Sequence, residues 1–231
     1  MSKIYSYVLR FDDGAAPNPF WGTCTLTICK PVIRRNANIG DWVIGTGSKN
    51  AKCNDGNIHN LSNNIVYAMK ISDVKTLEQY DTFCKANLPN KIPNWRTKDW
   101  RFRMGDCIYD YSNGATPSIR QSVHNEGNRK RDLSGFNSLL STHFYYFGEK
   151  ARPLPTDLMR LIKRNQGHRK IKNQELIKNF ENWIEQFNMN EIYADSQMRS
   201  VFDRKITDEI ISKCAKQHLD EDLDETEEII C

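Results

Sequence analysis

The stretch NIVYAMKISDVKTLEQYD, residues 64–81, decides the fold class. Through Ser72 it is rich in β-branched and aromatic residues, which predicts a buried strand over 64–72. Beyond it, Val74, Leu77, Tyr80, Phe83 and Cys84 recur at helical spacing. That pattern predicts a helix over 73–88 with Asp73 as its N-cap.

Upstream, KIYSYVLRF at 3–11 alternates as a strand does, and DDGAAPNPFWG at 12–22 is too rich in Pro and Gly to be anything but a loop. GTCTLTICKP at 22–31 reads either as a second strand or as the lead into a short helical turn. WVIGTG at 42–47 is a short buried strand. Downstream, residues 112–135 are polar and Gly-bearing and read as a long loop, and LLSTHFYYFG at 139–148 as the last clear strand. After RPLP the pattern turns helical, with Ile177, Phe180, Ile184 and Phe187 forming one apolar face. The expectation is an α+β protein: a small mixed β-barrel over 1–150, a helical C-terminal extension over 151–219 and an acidic tail over 220–231.

Charge is segregated along the chain. The net charge is +4, yet residues 220–231 carry seven acids and no base, which leaves +11 on residues 1–219. A basic body fits a phosphate-bearing partner. The tail reads as solvated, or as a strip lying across the basic surface and screening it. The run from Arg152 to Lys178 holds eight bases against two acids and could track a nucleic-acid backbone or form the polar face of two surface helices. No run approaches 18 apolar residues and the N-terminus lacks a signal-peptide pattern, so the expectation is a cytoplasmic protein without a membrane partner. The seven cysteines are scattered and form no CxxC pair, which fits free thiols and no metal site.

Two Gly-Asp pairs, Gly40-Asp41 and Gly105-Asp106, each follow arginines: Arg34 and Arg35 before the first, Arg101 and Arg103 before the second. Guanidinium groups bind phosphate bidentately, so these four are phosphate-binding candidates. Gly45, Thr46, Gly47, Ser48 and Lys49 form a small anion-cradle candidate that lacks the spacing of a P-loop. Base recognition is assigned to Arg10, Asn18, Phe20, Trp21 and Trp95, since amides read base edges and aromatics stack on them. Acid–base candidates are Asp12, Asp41, Asp106 and His124. The expectation is that these segments converge on one mouth.

The order of an opening strand, a loop, an Arg-bearing stretch, Gly-Asp-Trp-Val-Ile and a strand–helix pair resembles the PUA-like superfamily, including EVE and ASCH domains. More specifically, YSYVLRFDDGAAPNPFWGTCTLTICKP, GDWVIGTGSK, NIVYAMKIS, GDCIY and HFYYFGEKA resemble the second nucleotide modification associated domain family of bacteria and phages, over about residues 3–155. The resemblance implies a nucleotide or a modified base in nucleic acid as partner, in bacterial or phage DNA modification or defence. It leaves the cofactor unknown. A base- or nucleotide-modifying transferase or hydrolase and a protein-interaction subunit are the alternatives.

Overall fold

A computed structural model describes residues 1–165, 167–202, 208–222 and 227–230. In chain order the N-terminal part supplies β1 (Ile4–Leu9), β2 (Cys24–Leu26), α1 (Pro31–Asn36), β3 (Trp42–Gly47), β4 (Ala51–Lys52) and β5 (Ile58–His59). The middle supplies β6 (Asn64–Lys70), β7 (Asp73–Thr76), α2 (Leu77–Asn87), α3 (Trp100–Arg103), β8 (Tyr109–Asp110), β9 (Ser118–Ile119), α4 (Glu126–Ser134), β10 (Asn137–Ser141) and β11 (His143–Tyr146). The remainder supplies β12 (Arg152–Pro153), β13 (His168–Ile171), α5 (Gln174–Ile184), β14 (Glu191–Ile192), α6 (Arg199–Phe202), α7 (Asp208–Asp222) and β15 (Glu227–Ile230).

The main sheet runs β14-β11-β6-β3-β1-β13-β15, with β12 also on β6. β1 and β3 are parallel neighbours, whereas β6 is antiparallel to β3. Alternation along the strands sends side chains to two cores. Tyr5, Tyr7, Val43, Met69 and Phe144 face one core, which the small sheet β2-β10-β7 closes. Ile4, Trp42, Ile44, Ala68 and Tyr145 face the other, under Ile177, Phe180 and Ile184 of α5. Trp42 Nε1 and Lys70 Nζ each donate to Glu181 Oε1 at 2.9 Å, which fixes α5 against the sheet.

The architecture is mixed α and β, with a large sheet, a smaller one and several helices, and a closed barrel is not seen among the described residues. Among those residues, β14 and β15 end the large sheet without pairing to each other. The helix predicted at 73–88 begins at Leu77: Asp73–Thr76 pairs with β10, and Thr76 rather than Asp73 caps the helix. There Thr76 Oγ1 accepts from Gln79 N while Gln79 Oε1 accepts from Thr76 N, a capping box. The long loop at 112–135 contains α4, started by Asn125 and Asn128 in the same manner. The stretch at 139–148 is two strands, β10 and β11, and not the last. The C-terminal third likewise differs from the all-helical expectation, since His168–Ile171 joins β1 as a sheet strand. The acidic tail is partly strand, Glu227–Ile230 pairing parallel with β13; residues 223–226 and 231 of it lie outside the described residues.

Candidate functional site

The sequence-chosen residues separate into two clefts and a buried interior. The first cleft, about 340 Å³, opens where the parallel strands β1 and β3 end, the usual ligand position in sheets with parallel strands. Arg10, Ser48 and Lys49 stand on its wall, joined by Lys30, Arg164 and Gly167, which sequence reasoning missed as a group. Lys30 Nζ lies 4.9 Å from the Tyr7 ring centroid, which orients that charge. The glycines of the expected cradle act otherwise. A Cβ at Gly45 would run into the Tyr67 ring and one at Gly47 into Leu61, so both allow close packing. Thr46 Oγ1 donates to Tyr7 O inside the sheet.

The second cleft, about 400 Å³, gathers Phe20, Trp21 and Arg101 with Ile192, Ala194 and Asp195. Trp21 adopts φ 68°, an uncommon left-handed conformation for an aromatic residue, and its ring centroid lies 4.4 Å from that of Phe102 with the planes tilted by 39°. Arg101 faces Asp195 at 3.5 Å. Arg103 belongs to neither cleft, as its guanidinium donates to Thr97 O and Phe202 O. Trp95 packs against the core.

The first Arg pair is also spoken for. Arg34 is fully buried; its Nε donates to Cys29 O at 2.8 Å, Nη1 to Asn137 O at 2.8 Å and Nη2 to Asp132 O at 2.5 Å. Arg35 Nη1 donates to Ser134 O. The two Gly-Asp pairs differ as well. Gly40 has φ 89° and Asp41 accepts from Lys3 N and Asn38 N, so the first is a tight turn. Gly105 is there because a Cβ would strike the backbone of Lys91, Ile92 and Pro93. Its neighbour Asp106 accepts from Thr25 Oγ1 at 2.6 Å and Tyr80 Oη at 2.7 Å. Burial pushes the Asp106 carboxyl up, against the opposing pull of buried Lys91, whose own ammonium burial pushes down. Lys91 Nζ donates to Asn18 Oδ1 at 2.6 Å and Thr23 O at 2.7 Å, so Asn18 is part of this internal network.

Asp12 is buried, accepts from Tyr146 Oη at 2.6 Å, and burial raises its carboxyl to about 7. His124 is the centre of a separate cluster. Its Nδ1–H donates to Asp132 Oδ2 at 2.6 Å, and its Nε2 lies 3.5 Å from Cys29 Sγ. Asp132 Oδ1 accepts from Cys29 N at 3.1 Å and Oδ2 from Tyr109 Oη at 2.8 Å. Burial would raise the Asp132 carboxyl, but His124 and Arg34 nearby and the Tyr109 hydrogen bond outweigh it and hold it below its ordinary value. The spacing of His124 and Asp132 around the start of α4 was the available signal. Cys29 gave none, because it lies about a hundred residues away in sequence.

Among the described residues, no group of three His, Cys, Asp or Glu side chains is arranged to hold a metal, and no helix is long and apolar enough to cross a membrane. The chain belongs to the family described as nucleotide modification associated domain 2, whose model matches residues 1–202. The match thus continues past residue 155 through β13, α5 and α6. No curated protein and no solved structure matches the chain.

Proposed function

We propose that this protein is a binding module for a nucleotide or a modified base in nucleic acid, and that the phosphate enters the first cleft. One observation carries the reading: Arg10, Lys30, Lys49 and Arg164 line a single concavity. Clustered cations in a concave, low-dielectric wall focus the field and favour an anion. The volume is at the lower end of those that hold small ligands. The family description supports the nucleotide as that anion. The second cleft, with Trp21 and Arg101, is the place for a base to stack. The PUA-like order of elements and a setting in bacterial or phage DNA modification or defence belong to the same reading.

The test is binding of deoxynucleotides, single-stranded and duplex DNA, and RNA, by calorimetry and anisotropy at low salt, where electrostatic affinity is greatest. Binding that weakens steeply with salt is expected. Lys49→Glu and Arg164→Glu should each reduce it on the order of tenfold or more. No binding to any of these at low salt would end the reading.

A further inference from the structure

The cluster around His124 has a chemistry that anion binding does not use. Cys29 has φ 58° and Lys30 φ 43°, two consecutive left-handed residues before Pro31 opens α1. Each costs roughly 1 kcal/mol or more for a residue with a Cβ, and such strain persists where surrounding contacts impose it. Here they do: Arg34 Nε holds Cys29 O, and Asp132 Oδ1 holds Cys29 N. The turn is therefore gripped on both sides of the thiol-bearing residue.

The ring above the thiol is gripped as firmly. Asp132 Oδ2 takes the Nδ1 proton of His124, which turns the ring's Nε2 toward Cys29 Sγ at 3.5 Å. Tyr109 Oη fixes the same carboxylate oxygen from the other side. A thiol, an imidazole of defined tautomer and a satisfied carboxylate in that order are the parts of a nucleophilic triad, recognised by geometry and not by sequence position. A purely architectural His–Asp pair would need neither the left-handed cysteine nor a sulfur 3.5 Å from Nε2.

We propose that Cys29, His124 and Asp132 act as nucleophile, general base and orienting carboxylate in cleaving an acyl bond of an anionic substrate. Cys29 Sγ forms a bond to the carbonyl carbon as its proton passes to His124 Nε2, and the carbonyl π pair moves onto oxygen. That pair returns, the bond to the leaving group breaks, and the leaving group takes the proton from Nε2. Water then attacks the thioester with Nε2 again accepting a proton, which returns to Sγ as the carboxylic acid departs. The net reaction consumes one water and no other reactant. Asp132 stays ionised and fixes the ring. The anionic substrate class rests on the reading of the basic cleft, because Lys30, next in the chain to Cys29, stands on that cleft's wall. The triad itself does not rest on it.

The experiment is alkylation of the full-length folded protein with iodoacetamide from pH 5.5 to 9, read cysteine by cysteine by mass spectrometry. Cys53 is an internal reference, since it is only half-buried and its thiol is raised by burial and by Asp55. Cys29 should react at pH 6 at least about tenfold faster than Cys53 and plateau near neutrality, because an imidazole partner lowers a thiol below its usual ~8.5. A Cys29 that stays unmodified in the folded protein, or that follows an ordinary thiol profile, overturns the triad. His124→Asn should return Cys29 to the ordinary profile; if circular dichroism shows that variant unfolded, the wild-type profile decides alone. Iodoacetate replaces iodoacetamide in a second arm. The anionic reagent should gain at Cys29, and Lys30→Glu should cut its rate ratio to the neutral reagent about tenfold. An unchanged ratio overturns the anionic class while leaving the triad, and nucleotide binding measured separately tests the cleft.

Discussion

Arg34 and Lys91 are two cations that a residue-by-residue reading would place in water and that the fold places at zero exposure. Each is surrounded by carbonyl or hydroxyl oxygens, and this is how a buried charge becomes tolerable. Removing one member of such a network costs more than the pair contributes, because the partners stay buried without their donor. Lys91→Met should therefore lower stability by about 3 kcal/mol or more in urea unfolding at neutral pH. The loss should shrink toward acid pH, where Asp106 can be protonated. Asp12 makes a second prediction with the sign set by its raised carboxyl. Its folded value of about 7 lies above the ordinary 3.8, so its contribution is fully present below 3.8 and is lost as pH rises through 7. Between those limits wild-type stability should fall with pH through this group, and Asp12→Asn should flatten that part of the pH profile. An unflattened profile would mean that Asp12 is ionised in the fold.

At the scale of elements, β15 is the least anticipated piece. It lies parallel to β13 and brings acids to a basic strand: Glu227 Oε2 is 3.0 Å from His168 Nε2 and 3.4 Å from Lys170 Nζ, and Glu228 meets Arg169 at 2.8 Å and Lys163 at 3.1 Å. Ion pairs of this kind near the surface contribute little to stability individually, but together they cover part of the basic run. A chain ending at residue 222 should bind DNA about fivefold more tightly at low salt, with a steeper salt dependence. Equal affinity would mean that the strand screens nothing used in binding. Acid should loosen the same pairing. Burial holds His168 below its ordinary 6.5, against the pull of Glu227 and with Lys170 and Lys30 adding to the depression. A depressed histidine contributes stability above 6.5 that is lost as pH falls through its folded value. Glu227, held below 4.5 because His168 and Lys170 outweigh the effect of burial, loses its contribution at lower pH still. Amide protection factors in β13 and β15, taken against the intrinsic exchange rate at each pH, should therefore fall as pH drops below 6.5, before those of the rest of the main sheet do.

For the whole molecule, what was legible in sequence was what periodicity encodes. β1, β3 and β6 read directly from their runs, and α5 from Ile177, Phe180 and Ile184, because local pattern and burial agree there. Topology was not legible: neither the pairing of β13 with β1 nor the docking of β15 leaves a local signal. The placement of the candidate site residues was legible only in part for the same reason: Arg34 and Arg103 have the composition of phosphate ligands, but their guanidinium groups donate to backbone carbonyls. What remains is a division of the expected single mouth into a cationic cleft and an aromatic one. That division predicts how ligand length should matter. A mononucleotide can fill one cleft, so Lys49→Glu should weaken it and Arg101→Glu should not. A strand of several nucleotides can engage both, so each substitution should weaken it and lower the salt slope by about 0.7 for every phosphate that is no longer neutralised. Arg101→Glu leaving oligonucleotide affinity and slope unchanged would remove the aromatic cleft from the binding path and confine recognition to the ends of β1 and β3.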